Sequence, residues 1–248
     1  MEVDSLNYAT PATVSRCGMV WFSEDTVTPE MCLDHLMQTL AKEDLTGDRG
    51  GDKDIPAAQT HFINAIRPLV LSERTSSLVM DALDFALVEE HIMEASRERL
   101  LHTFKALLIQ GMGLAIAYDE NHPDFPMAGE HMEKFAKRWL LHSLMWAFAG
   151  SASWEVRKKF GAMLLRTSGV LLPSDEHSLV DYRVRVEDGE YELWSDGVPR
   201  MEIESHRVSA TDVVITTTDT VRHSDILGAW LDSRIPLGKS KENSMSVY

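Results

Sequence analysis

Cysteine and positive charge are both scarce. Cys17 and Cys32 are the only cysteines in 248 residues. Two thiols cannot build a disulfide framework, and with no C-x-x-C pair there is neither a metal knuckle nor a dithiol redox motif. They are expected to stay reduced in a cytosolic protein. Lys and Arg number 24 against 39 Asp and Glu, a formal charge of −15. That balance argues against nucleic acid as a partner, because phosphate binding needs a positive footprint. No apolar run reads as the ~20 residues of a membrane span, so no membrane is expected as a partner. The N-terminus lacks the basic-then-apolar pattern of a secretory signal. What is present is a globular composition, 44% hydrophobic and 25% charged, too apolar for a disordered chain. The length admits one large domain or two small ones.

Periodicity divides the chain. Thr28-Pro29-Glu30 reads as a helix start, with a capping hydroxyl, Pro at the first helical position and an acid near the positive end of the dipole. Leu33, Leu36, Met37 and Leu40 follow at helical spacing, and Asp44–Pro56 reads as a polar loop. A second helix is marked by Phe62, Ile66, Leu69 and Val70, and a third by Leu78, Ala82, Phe85 and Ile92. A fourth carries Leu100, Phe104, Leu107, Leu108, Met112 and Ala115, with Gly111 and Gly113 as places where it bends or packs closely. His122-Pro123-Asp124-Phe125-Pro126 interrupts the pattern. A fifth helix runs over about 128–149, and a sixth uses Val156, Phe160, Met163 and Leu164. The period then becomes two. Val180, Tyr182, Val184 and Val186 alternate with polar residues, Asp188-Gly189 marks a turn, and Tyr191 and Leu193 alternate after it, a hairpin signal. Asp196-Gly197 opens a further turn, Val213-Val214-Ile215 is a short apolar run, and a last helix is expected around Ile226, Leu227, Trp230 and Leu231. Residues 238–248 show no pattern.

Motifs for chemistry are few. Gly238-Lys239-Ser240 resembles the end of a phosphate loop, but the first glycine that loop requires falls on Ser233, and Pro236 removes an amide. It reads as a chance tripeptide. The ten histidines form no H-x-x-x-H pair; Glu89-Glu90-His91 and Glu130-His131-x-Glu133 read as solvated or capping groups. Arg157-Lys158-Lys159 reads as a solvated helix face. Arg16, within Ala12-Thr13-Val14-Ser15-Arg16-Cys17-Gly18, is open to two readings from its residues: a surface or partner-paired arginine, or a finger whose planar guanidinium meets a phosphoryl group.

The segment Tyr8-Ala9-Thr10-Pro11-Ala12-Thr13-Val14-Ser15-Arg16-Cys17-Gly18-Met19-Val20-Trp21-Phe22 resembles a signature of dynein heavy chains, where it closes the large subdomain of the second AAA+ module. Further matches follow in family order: Leu87-x-x-Glu90-His91-Ile92-Met93, Asn121-His122-Pro123-Asp124-Phe125-Pro126, Glu204-Ser205-His206-Arg207-Val208 and Asp219-Thr220-Val221-Arg222-His223. The resemblance covers about residues 3–237 and fits the cytoplasmic branch better than the axonemal one.

The resemblance implies an α+β chain: an all-α lid bundle, the small subdomain of an AAA+ module, followed by a small β-rich segment that begins an α/β large subdomain. Residues 1–25 would end the second module's large subdomain, 26–172 would be its lid, 173–237 would start the third module, and 238–248 would lie outside the family pattern. It further implies that Arg16 acts as an arginine finger on the preceding module's nucleotide, and that Val213 and Val214 line the third module's adenine pocket. The parent would be an ATP-driven, minus-end-directed microtubule motor using ATP/ADP with Mg²⁺. Its partners would be neighbouring AAA+ modules, intermediate and light chains, and, through the parent alone, the microtubule. Its place would be the cytoplasm and cytoskeleton. The chain itself lacks a whole phosphate loop and is expected to be a piece without its own ATP site, inactive alone. The competing expectation is a free-standing acidic helical scaffold or adaptor with no enzymatic activity.

Overall fold

Hydroxyl caps set most of the helix starts. Thr10 accepts from the Thr13 amide at 3.2 Å, Thr28 from Met31 at 3.4 Å, Ser77 from Met80 at 3.2 Å, Ser96 from Arg99 at 3.3 Å and Ser153 from Val156 at 3.4 Å. Each satisfies one of the first-turn donors that a helix leaves open. The computed structural model describes residues 8–20, 26–42, 55–71, 77–200, 215–232, 237–239 and 245–247. Within them run α1 (Pro11–Arg16), α2 (Pro29–Lys42), α3 (Ala57–Val70), α4 (Leu78–Val88), α5 (Arg97–Asn121), α6 (Gly129–Ala149) and α7 (Trp154–Ser168). A 3-10 turn, Leu179–Asp181, leads into β1 (Tyr182–Val184), then come β2 (Tyr191–Leu193), a second 3-10 turn Trp194–Gly197, and α8 (Thr218–Asp232). The described chain is thus mostly helical, with a small two-stranded sheet of β1 and β2 where the change of period implies one. Much of the polar loop read at 44–56, and the run Val213-Val214, lie outside the described residues.

The core is built around α6. From Trp139 through Ala149 every residue of that helix is buried. Helices α3 and α5 pack along it, α7 and α4 close another side, and the hairpin lies on its first half. Phe62 and Phe135 meet edge-on with ring centroids 6.0 Å apart, and Phe104 and Phe148 lie 5.6 Å apart. Helix α5 comes closest at Gly111. A Cβ there would lie 2.2 Å from the Trp139 indole, whose Nε1 donates to the Leu107 carbonyl at 2.8 Å. Close packing, the second of the two expectations for this glycine pair, is therefore the role of Gly111, while a Cβ on Gly113 meets nothing within 4 Å.

Four expectations are corrected. Helix α4 stops at Val88, so Ile92 lies past it. The Ile92 amide instead donates to the Ser151 carbonyl at 2.9 Å. Arg157 is not on a solvated face. It is 8% exposed and donates to the Ala149 and Gly150 carbonyls that α6 leaves open, at 3.3 and 2.6 Å. Helix α5 is long and apolar enough to span a bilayer by length and composition, contrary to the reading of the apolar runs. Just over half of its most apolar stretch is buried inside the protein, which is the pattern of a core helix. Finally, the tail read as patternless holds two short strands, β3 (Leu237–Lys239) and β4 (Met245–Val247), paired antiparallel with Lys239 opposite Met245.

The hairpin is fixed from both sides. Tyr182 pairs with Leu193 and Val184 with Tyr191. Gly189 turns at φ +65°, in the left-handed region, and a Cβ would approach the Phe135 amide to 3.1 Å, so both conformation and clearance require glycine there. Glu190 is ion-paired with Lys134 and Arg138 of α6, and those bonds hold its carboxyl below the usual carboxylate range. Under the hairpin sits His142, 3% exposed, with ring centroids 4.9 Å from Trp139, 6.2 Å from Trp194 and 6.5 Å from Trp146. Burial without a compensating charge pushes its pKa down to about 4.

Two measurements check this packing. Gly111→Ala should destabilise the chain by about 1–3 kcal/mol in urea unfolding, from overpacking against a rigid indole. Gly113→Ala should be neutral or stabilising by up to about 1 kcal/mol. His142 is neutral in the folded chain, whereas the unfolded chain takes up its proton below the ordinary histidine value of about 6.5. Stability is therefore lost as pH falls from about 6.5 to about 4, by roughly 3 kcal/mol from this group. The unfolding free energy of the parent should fall by that amount relative to that of His142→Phe over the interval.

Candidate functional site

Arg16 is the last residue of α1, a helix with no buried residue, and its side chain is exposed. Pro11 at the first position and the Thr10 cap hold the short helix, and the Cys17 amide closes it by donating to the Val14 carbonyl at 3.3 Å. The guanidinium is thus displayed on a surface element, and among the described residues no hydrogen bond or ion pair joins it to an acid, base or nucleophile. Val213 and Val214, the other residues expected to touch a nucleotide, lie outside the described residues.

The phosphate-loop tripeptide does not fit a nucleotide either. A working loop turns successive backbone amides toward the phosphates and runs into a helix. Here Gly238 pairs with Ser246 and Lys239 with Met245 in an antiparallel ladder. Nor is there, among the described residues, a group of three His, Cys, Asp or Glu side chains able to hold a metal ion. The tripeptide itself sits in a strand ladder and not in a phosphate cradle.

The histidine fragments are structural. His91 bridges Ser151 Oγ at 3.0 Å and the Ala86 carbonyl at 2.7 Å, tying the end of α4 to the turn after α6. Glu133 pairs with Lys137 one turn along α6. Neither presents a free ligand set.

Two constellations escaped the sequence reading. A groove of about 930 Å³ opens between α2 and the start of α5. Leu36, Leu87 and Leu101 give it apolar walls, while Arg97, Glu98, Lys105, His35 and His102 supply charge and hydrogen-bonding groups. Cys32 also lines it, but His35 turns its Nε2 toward Thr39 Oγ1 at 3.4 Å rather than toward the thiol, so no activated nucleophile is assembled. The residues come from helices some sixty positions apart, and only the spacing of each on its own helix was visible in sequence.

The second constellation joins α8 to the bundle. Arg222 is 5% exposed, ion-paired with Asp219, and its Nη1 reaches the Val180 carbonyl at 3.4 Å. Its guanidinium lies 5.5 Å from the ring centroids of both Trp146 and Trp154, and that of Arg157 lies 5.7 Å from Trp146. Two cations gathered on one indole, with burial and mutual repulsion lowering the Arg157 pKa, form a mechanical joint between α6, α7 and α8. A buried aromatic clamp of this kind can transmit orientation; it offers no general acid, base or nucleophile.

Residues 71–196, from the end of α3 through the hairpin to the second 3-10 turn, match the model of the dynein heavy chain AAA lid domain. The cytoplasmic dynein heavy chain of Neurospora crassa is 39% identical over 242 residues, covering 95% of this chain and 6% of that protein. Those of Caenorhabditis elegans and Drosophila melanogaster are 36% and 34% identical, again over 95% of this chain and 6% and 5% of theirs. The chain therefore spans about one-twentieth of the length of these relatives. By the lid model that covers half of it, from α4 through the hairpin, the chain belongs to the dynein heavy chain family.

Proposed function

We propose that this chain is the inter-module part of a cytoplasmic dynein heavy chain: residues 1–25 end the second AAA+ large subdomain, 26–172 form its lid, 173–237 begin the third module, and 238–248 lie outside the family pattern. The observation that carries the reading is the lid match over residues 71–196, which takes in α4 to α7 and the hairpin packed on α6. In this reading the parent is an ATP-driven, minus-end-directed microtubule motor of the cytoplasm. It uses ATP with Mg²⁺, and its intermediate and light chains and the microtubule are reached through other parts of the heavy chain. The adenine-pocket role of Val213 and Val214 belongs to the third module once complete.

The work of this piece is mechanical, with one chemical contribution. Arg16, exposed at the end of α1, reaches toward the nucleotide of the preceding module. There its planar guanidinium offsets charge that develops on the transferring phosphoryl group. The lid carries rotation from one module to the next through the joint made by Arg157, Arg222 and Trp146.

Two assays test this. The isolated chain should turn over no ATP; turnover by the purified chain would contradict the reading. In a heavy chain carrying this segment, Arg16→Ala should lower ATP turnover at least about tenfold. Arg16→Lys should fail to restore it, because an ammonium lacks the bidentate fork. Unchanged turnover in Arg16→Ala would remove the finger role.

A further inference from the structure

Where α8 meets the end of α6, buried positive charge is gathered in excess. Arg157 and Arg222 are both buried, and their guanidiniums flank the Trp146 ring at 5.7 and 5.5 Å. Arg157 donates to the Ala149 and Gly150 carbonyls, at the negative end of the α6 dipole, while α7 starts at Trp154 and brings the positive end of its own. The two helix ends offset each other. Two guanidiniums then remain against one carboxylate. Among the described residues the acid that acts on both is Asp219. Its side chain is 68% exposed, so water weakens its pull. His223 lies in the same field: burial first, then Arg222, hold its pKa below the ordinary histidine value. Charge buried in this way needs a counter-charge close by.

Donors without acceptors stand at the same place. A cavity of about 10 Å³ lies between α6 and α8, lined by Trp146, Gly150, His223, Ile226 and Trp230. The three α8 residues recur at helical spacing, so they share one face of that helix. Trp230 is 4% exposed. Its indole Nε1 can only donate, and it has no hydrogen-bond partner among the described residues. Arg222 Nε, one residue before His223, is a second buried donor without a partner there. Leaving such N–H groups unmet is costly. The cavity holds about one water-sized sphere, which excludes phosphate, sulfate and any molecule bearing a carboxylate. The donors call for an acceptor, the arginines for a negative charge, and the space for a single atom.

We propose that this cavity is a halide site, in which a chloride ion accepts from Trp230 Nε1 and from a His223 ring N–H in the positive field of Arg157 and Arg222. A water molecule would meet the indole donor and leave the excess charge unopposed. The ion completes the joint that fastens α8 to the end of α6.

Two measurements on the chain test the site. Crystals grown in sodium bromide, read by anomalous scattering at the bromine edge, should show a peak in the cavity beside the Trp230 indole. An ordered water there without an anomalous signal would overturn the proposal. In solution, exchanging sodium gluconate for sodium chloride at constant ionic strength should raise the urea midpoint and then saturate, because the ion binds the folded chain. Trp230→Phe keeps an aromatic ring and removes the donor, and should abolish that rise. Asp219→Asn leaves the arginines less opposed, and should bring saturation at a lower chloride concentration. A midpoint indifferent to the exchange, a rise that survives Trp230→Phe, or a saturation point unmoved by Asp219→Asn each counts against the ion. Should Trp230→Phe fail to fold, the bromide peak in the parent chain decides.

Discussion

The burial of the second half of α6, from Trp139 through Ala149, is the constraint on which the rest of the structure depends. A stretch of helix with no wet face must surrender its solvent contacts to neighbours, and here each neighbour takes a different part of the helix. Helices α3 and α5 take the length, α4 and α7 take another side, and the hairpin covers the first half. The cost concentrates at the C-terminal end, where the last carbonyls have no helical partner. Arg157 meets that need directly by donating to Ala149 and Gly150. The charge so introduced into the interior is tolerated because Trp146 offers its ring face and Asp219 stands nearby.

This solution explains why the strand-rich segment and α8 are not a loose appendage. Arg222 shares the same indole as Arg157, and reaches the backbone at Val180 just before β1. On the other side Glu190 and the Gly189 carbonyl bind α6 through Lys134 and Arg138. The bundle and the start of the following segment are thereby locked through both ends of one helix.

Much of the fold was legible in the sequence, because apolar spacing reports burial directly. The starts at Thr28 and the hairpin about Asp188-Gly189 follow from local chemistry, and the heptad-like runs of α5 and α6 from their period. Arg157 was misread because a run of three basic residues looks alike whether one of them faces carbonyls or water. Only the crossing of α6 and α7 distinguishes the two. Ile92 was misread because apolar spacing can continue past the last helical residue when the chain turns and pairs elsewhere, here with Ser151. The groove beneath α2 could not be read at all, since Arg97 and His35 share no local pattern. Arg16 was open to two readings from its own residues, and only the resemblance favours the finger; its surroundings are a short, exposed helix.

Helix α5 begins at the groove, with Arg97, and ends at the loop that carries Phe125. Its 25 residues give a rod of ~37 Å. The glycine pair near its middle is no hinge on the buried side, because Gly111 is wedged against Trp139. Packed against α3 and α6 along its length, the helix is a stiff strut that fixes the spacing between the groove and the loop.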